Sequence, residues 1–168
     1  MEGMTTIERT DPPYETDERT MLVGWLDYHR ATLALKCEGL TDDQLRVRSV
    51  PPSDLSLLGL VRHMSDVELH WFRFWLAGEP PNPRYEGEED FDVDGADVTE
   101  AFDYWNSECA HAREVQATFS SLDDVGFGQK LGAGISVRWT LVHMIEEYAR
   151  HNGHADLLRE AIDGTKGD

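Results

Sequence analysis

The segment His143-Met-Ile-Glu-Glu-Tyr-Ala-Arg-His-Asn-Gly-His154 combines an apolar helical stripe with several ionisable side chains. At about 100° per residue, Glu147 and His151 lie one helical turn apart on one face, at the shoulder of a stripe centred on Tyr148. The two histidines at the ends of the segment lie further round the helix. A carboxylate at the edge of a core needs a paired charge or a bound cation. The segment therefore predicts a helix that offers Glu147 and His151 as candidate metal ligands.

Helical periodicity recurs upstream of this segment and predicts an all-α protein. Apolar residues repeat every three to four positions in four stretches, at about 17–38, 56–78, 98–119 and 137–163. Thr41 and Gln44 have the spacing of a capping box, which predicts a short helical turn after the first helix. The glycine-rich run 126–136 predicts a small hairpin before the last helix. No strand pattern is long enough for a sheet, so a four-helix bundle is the simplest architecture.

The length of 168 residues and the apolar content of 40% indicate one domain with a single core. We assign residues 17–164 to the bundle, residues 1–16 to a flexible N-terminal arm and residues 165–168 to a C-terminal tail. Residues 79–97 are rich in proline, glycine and acidic side chains, which predicts a solvated surface loop. The Asp90, Asp92, Asp94 and Gly95 pattern matches the start of an EF-hand loop, but Ala101 stands where the bidentate carboxylate is needed.

Charge and cysteine content exclude several classes of function. With 15 basic and 33 acidic residues, the formal charge of -18 disfavours binding to nucleic acid or to anionic membranes. The chain has no apolar run of the ~20 residues that a membrane span needs, and its N-terminus lacks the apolar core of a signal peptide. We therefore expect a cytoplasmic protein. Cys37 and Cys109 fall in apolar stripes and are expected to be buried thiols.

His63 is a third candidate ligand, because it lies on the shoulder of the second helix beside Val67. Two imidazoles and one carboxylate suit Zn²⁺, Fe²⁺ or Ni²⁺, and three protein ligands leave positions open for water or substrate. Spacing alone leaves a second interpretation open, in which the histidines are hydrogen-bonded core residues and Glu147 pairs with Arg150 or Arg62. The remaining histidines upstream are assigned to core or surface positions: His29 and His70 to either, and His111 to a solvated position.

Several motifs together resemble the DinB-like (DinB/YfiT-like) metalloproteins, in particular their actinobacterial, mycothiol S-transferase-like branch. The resemblance covers about residues 17–164. The motifs are Gly39-Leu40-Thr41, Leu60-Val-Arg-His63, Val67-Glu68, Trp71-Phe72, Arg138-Trp139 and the long run from Glu146 to Gly164. The resemblance implies a four-helix bundle that binds a divalent metal.

The resemblance places the metal ligands at His63, Glu147 and His151. Many relatives carry a second histidine where this chain has Glu147, whereas the thiol-dependent maleylpyruvate isomerases are similar to this chain in using His, Glu and His. Zn²⁺ is the expected metal, with Ni²⁺ or Fe²⁺ as alternatives.

The resemblance also implies an activity, because family members use a low-molecular-weight thiol such as mycothiol or bacillithiol. We expect a metal-dependent transferase that conjugates a mycothiol-type thiol with electrophilic small molecules. Arg138, Arg150 and Arg159 are candidates for binding the thiol cosubstrate, and His154 for supporting a ligand or shuttling a proton. The alternatives are a thiol-dependent isomerase of the maleylpyruvate type and a non-catalytic metal-binding module. The sequence leaves open whether the bundle forms a homodimer.

Overall fold

Four long helices pack together in the computed structural model, which describes residues 7–128 and 134–167. The helices are α1 (Glu18–Cys37), the short α2 (Asp42–Arg46), α3 (Leu57–Glu68) with a π-helical continuation (Leu69–Leu76), α4 (Val98–Ala117) and α5 (Val137–Asp163). The described residues contain an isolated β-bridge but no β-strand. The predicted all-α bundle, including the short helix after α1, is confirmed.

Side chains that cap the helices explain where each one begins. Asp17, Ser56 and Ser136 each accept a hydrogen bond from the third backbone N–H of α1, α3 and α5 respectively. Thr41 and Gln44 form the predicted capping box of α2. These local signals are readable from the sequence, which is why the predicted helix starts agree with the structure.

The packing of the bundle brings α3 and α5 face to face. α1 packs along α5, α3 packs along α4, and the two pairs meet through contacts of α3 with α5 and with α1. Tyr148, Met144, Met64 and Phe72 are almost completely buried in the shared core. Because α3 carries His63 and α5 carries Glu147 and His151, this interface determines the position of the candidate ligands.

The sequence pattern predicted one continuous α-helix for the second long helix, but only its first part is α-helical. From Leu69 to Leu76 it is a π-helix, and the backbone N–H of Ala77 donates to the carbonyl of Phe72, five residues earlier, at 2.9 Å. The indole N–H of Trp75 likewise donates to Nε2 of His70 at 2.9 Å. The hydrogen bonds of a π-helix span one residue more than those of an α-helix. Over eight residues this difference changes the spacing of apolar residues too little to be recognised in the sequence.

The segment before α5 is bound to the end of this π-helix. The backbone N–H groups of Phe127 and Gly128 donate to the carbonyls of Leu76 and Trp75, each at 3.0 Å. An added Cβ at Gly126 or Gly128 would collide with backbone atoms of residues 74–76. A single antiparallel bridge joins Val125 with Ser136, at the base of the predicted hairpin. Its tip, residues 129–133, lies outside the described residues.

The N-terminal segment contacts α1 over part of its length. Pro12 is buried against Gly24, and the guanidinium of Arg9 lies 4.8 Å from the centroid of the Tyr28 ring. The flexibility expected for residues 1–16 stays a prediction.

Both cysteines are buried free thiols, as expected, and burial raises the pKa of Cys37 to about 12. Within the described parts of the chain, no helix has the length and apolar character that a membrane crossing requires.

Candidate metal centre

Three predicted ligands meet where α3 faces α5. One donor atom from each of His63, Glu147 and His151 lies within 4.8 Å of the others. The rings of His63 and His151 meet edge to face, with centroids 4.8 Å apart. Two imidazole nitrogens and one carboxylate oxygen at this separation fit a divalent cation of borderline softness. That these residues bind a metal stays a prediction.

The exposure of the triad and the protonation of His151 suit metal binding. Side-chain exposure is 26% for His63, 21% for Glu147 and 12% for His151, so the donors are shielded but reachable. Burial, followed by the neighbouring His63 and His154, lowers the pKa of His151 to about 4. His151 is therefore neutral at neutral pH, which is the form of imidazole that binds metals.

A carboxylate from the acidic loop orients His63. Nδ1 of His63 lies 2.8 Å from Oδ2 of Asp90, and the ring of Phe91 stacks on the imidazole with centroids 5.2 Å apart. With the Nδ1 proton donated to the carboxylate, Nε2 remains as the donor for a metal. Metal-binding histidines commonly have such a carboxylate partner, which fixes the tautomer and raises the basicity of the ligand.

The acidic loop is anchored, and the prediction that it is merely solvated is wrong at Asp90 and Val93. Both residues are buried, with relative exposures of 8% and 0%. Arg62, which precedes His63 on α3, donates to the backbone carbonyls of Glu89 at 2.7 Å and Asp92 at 2.6 Å. One helix turn thus supplies both the candidate ligand and the residue that holds the loop over it.

His143 contacts Glu147, the second candidate ligand, although the sequence placed His143 further from the core. Its Nε2 lies 3.3 Å from Oε1 of Glu147, whose Oε2 lies 3.6 Å from Nε2 of His151. The His143 ring stacks on Trp139, with centroids 4.8 Å apart, and meets Trp71 edge to face at 4.5 Å. His143, Glu146 and Glu147 form a second cluster of donors within 4.8 Å, which shares Glu147 with the first.

The salt bridges considered for Glu147 are not formed within the described residues. Arg150 pairs instead with Glu146 at 2.7 Å, and Arg62 binds the loop carbonyls.

His151, the third candidate ligand, also has a polar neighbour, since Nδ1 of His154 lies 3.3 Å from Nδ1 of His151. Each member of the triad therefore has a polar neighbour outside the triad: Asp90 for His63, His143 for Glu147 and His154 for His151. The role of His154 as a proton shuttle stays a prediction.

The three arginines expected to bind the thiol each have partners elsewhere in the protein. Arg138 pairs with Glu18 and Asp123, Arg150 with Glu146, and Arg159 with Asp163 and the carbonyls of Lys36 and Glu38. Besides burial and the neighbouring histidines, the charge of Arg150 contributes to the lowered pKa of His151, and contact of the three arginines with a thiol stays a prediction.

His29 and His111 have partners outside the triad. The backbone carbonyl of His29 accepts a hydrogen bond from Asn152, and burial lowers the pKa of His29. The prediction that His111 is solvated is only partly right. Its Nε2 lies 2.9 Å from Oε1 of Glu79, and only 24% of its side chain is exposed.

A buried ionic network lies inside the bundle and was not predicted. Glu68 is fully buried and receives two hydrogen bonds from Arg30, at 2.8 and 2.7 Å, and one from the Tyr148 hydroxyl at 2.7 Å. The indole N–H of Trp105 donates to Tyr148 at 2.9 Å. Burial raises the pKa of Tyr148, so its hydroxyl keeps the proton it donates. The network joins all four long helices. It holds α5 at Tyr148, the residue next to Glu147.

The fold and the site together define a class of protein. A four-helix bundle in which the second and the last long helices bring two histidines and a glutamate together is a DinB-like arrangement. A family model described as mycothiol-S-transferase matches residues 21–164. The chain therefore belongs to the mycothiol S-transferase family, whose members are thiol-conjugating transferases.

A solved structure has the same fold. It is the crystal structure of a conserved protein from Enterococcus faecalis, which is 16% identical in sequence, with a TM-score of 0.62 over 90% of this chain and 100% of that chain. At this identity the likeness concerns the fold alone. No curated protein matches the chain.

Proposed function

We propose that the protein is a metal-dependent mycothiol S-transferase, in which His63, Glu147 and His151 hold a divalent cation, with Zn²⁺ as the first candidate and Ni²⁺ or Fe²⁺ as alternatives. The observation that carries the proposal is the convergence of these three donors within 4.8 Å in a chain of this family. The donor set is chemically suitable, because His151 is neutral at neutral pH and one carboxylate offsets part of the cation's charge.

A cation bound there would lower the pKa of a coordinated thiol and so favour the nucleophilic thiolate. Asp90 would keep Nε2 of His63 directed at the cation, and His143 would hold one oxygen of Glu147. His154 lies beside the centre as a candidate acceptor of the thiol proton. In the reaction the S–H bond breaks, the sulfur forms a bond to the electrophilic carbon, and the leaving group departs with the carbon's former bonding pair.

The test combines metal analysis with an assay of conjugation. Purified protein reconstituted with Zn²⁺ is expected to hold one ion per chain and to accelerate the reaction of mycothiol with 1-chloro-2,4-dinitrobenzene, with release of chloride. His63→Ala should lose both the metal and the conjugating activity. His111→Gln is the control and should keep both, because His111 contacts Glu79 and is not part of the triad.

Two outcomes would contradict the proposal. Equal conjugation with and without metal would exclude metal dependence. Stoichiometric metal without any thiol conjugation would favour the non-catalytic metal-binding module instead.

A further inference from the structure

An aromatic groove adjoins the candidate metal centre. It has a volume of about 290 Å³, and both His63 and its partner Asp90 line it. The rings of His70, Trp71 and Tyr85 line it as well. This volume is close to the lower end of the range for small-molecule pockets.

The groove also approaches the centre through Trp71. The Trp71 ring lies 4.5 Å from the ring of His143, which in turn contacts Glu147 at 3.3 Å. A planar molecule stacked on Trp71 in the groove would thus lie beside His63, with His143 between Trp71 and Glu147. This is the position that the acceptor of a thiolate bound at the centre must take.

The charged side chains that line the groove are carboxylates. Asp66 and Asp90 line it, and none of the described residues that line it is a lysine or an arginine. Asp66 accepts hydrogen bonds from two backbone N–H groups, at 3.1 Å each, and from the hydroxyl of Tyr104 at 2.8 Å. Neither carboxylate forms a salt bridge with a lysine or an arginine among the described residues.

The bound reactants would not reverse this sign. The charge of a divalent cation is offset by Glu147 and by a thiolate. The guanidinium of Arg62 lies 4.2 Å from the centroid of the Tyr85 ring, but it donates to the carbonyls of Glu89 and Asp92, which leaves two carboxylates as the charged side chains that line the groove. An anionic group would be repelled there, and an aromatic face would attract a cation.

We propose that this groove binds the electrophilic substrate, and that it selects uncharged or cationic aromatic electrophiles over anionic ones. The inference rests on the proposed function and names the substrate class for it. It also disfavours the maleylpyruvate type of isomerisation, because a dicarboxylate in the groove would meet two carboxylates and no lysine or arginine among the described lining residues.

Binding of unreactive probes tests the inference without requiring thiol chemistry. Calorimetric titration of zinc-loaded protein should give at least about tenfold tighter binding of 1,3-dinitrobenzene than of 3,5-dinitrobenzoate. Trp71→Leu should weaken binding of the neutral probe by about tenfold, within the range of aromatic stacking energies. Trp25→Leu, at an exposed ring on α1 outside the groove, is the matched control and should leave binding unchanged.

A charge variant gives a second, independent readout. His70→Lys, at an exposed position lining the groove, should strengthen binding of 3,5-dinitrobenzoate by about tenfold. Leu157→Lys adds the same charge at an exposed site on α5 outside the groove and should have no such effect.

Equal affinity for the two probes, or an unchanged affinity in both Trp71→Leu and His70→Lys, would overturn the inference. Selective binding of the neutral probe by a protein that conjugates no thiol would support the groove and contradict the proposed function. Thiol conjugation by a protein that binds both probes equally would support the proposed function and contradict the role of the groove.

Discussion

The carboxylate of Asp90 lies 2.8 Å from Nδ1 of His63, and this contact joins a loop far along the chain to the candidate metal centre. The contact selects which imidazole nitrogen is available and restrains the rotation of the ring. Its contribution to metal binding can be measured separately from that of the ligands.

Asp90→Asn is expected to lower the affinity for Zn²⁺ by about 10–100-fold, the usual effect of losing a hydrogen-bond partner of a ligand. Competition with a chromogenic chelator measures the affinity. Asp94→Asn is the matched control, because Asp94 lies in the same loop but pairs with Arg48 at the surface. Equal losses in the two variants would mean that the loop, rather than the Asp90 contact, is responsible.

Substitution of Glu147 tests the ligand set. Glu147→Gln should lower the affinity for Zn²⁺ by at least about 100-fold, because the amide keeps the size of the side chain but loses its charge. Glu147→His should retain stoichiometric zinc, since an imidazole is also a zinc ligand. Metal content after dialysis distinguishes the two variants, and full retention by Glu147→Gln would remove Glu147 from the site.

The metal-free protein should lose stability as the pH falls below neutrality. In the folded chain the pKa of His151 is lowered to about 4, compared with 6.5 for the free group. Between these values the unfolded chain binds a proton that the folded chain does not, so the free energy of unfolding decreases from pH 6.5 towards pH 4.

Urea unfolding at a series of pH values measures this dependence. His151→Asn should flatten the slope in that window, whereas His111→Gln should not flatten it to the same extent. An unchanged slope in His151→Asn would show that this imidazole titrates normally.

The buried pair of Arg30 and Glu68 should matter far more for stability than the exposed pair of Glu146 and Arg150. Glu68→Ala is expected to lower the free energy of unfolding by about 3–5 kcal/mol, because it leaves the Arg30 guanidinium buried without its partner. Glu146→Ala should cost about 0.5 kcal/mol or less. Denaturant titration gives both values, and similar costs would contradict the burial of the network.

The helices could be predicted from the sequence because their signals are local. Capping side chains and apolar spacing act within a few residues, and the pair Glu147 and His151 follows from one helical turn. The place of His63 in the triad could not be predicted from local spacing, because Glu147 and His151 lie more than eighty residues away in the sequence. The resemblance to a family supplied this pairing, which the spacing of residues alone left open.

The supporting contacts were harder to predict, for two different reasons. Asp90 reaches His63 only because Arg62 anchors the intervening loop, and a long-range contact of this kind leaves no periodic signal. His143 was assigned by its angle on the helix, yet it lies four residues before Glu147, where side chains normally meet. Glu68 gave a detectable signal, since it is a carboxylate inside an apolar stripe.

The main-chain bonds that hold the start of α5 have a consequence for how this protein can vary. Phe127 and Gly128 are tied to the carbonyls of the π-helix, and the N–H groups of Val137 and Arg138 donate to the carbonyls of Asp124 and Leu122. The register of α5 is therefore set by backbone atoms on both sides of residues 129–133, which lie outside the described residues. We therefore expect insertions and deletions at residues 129–133 to leave the candidate metal ligands that follow in place.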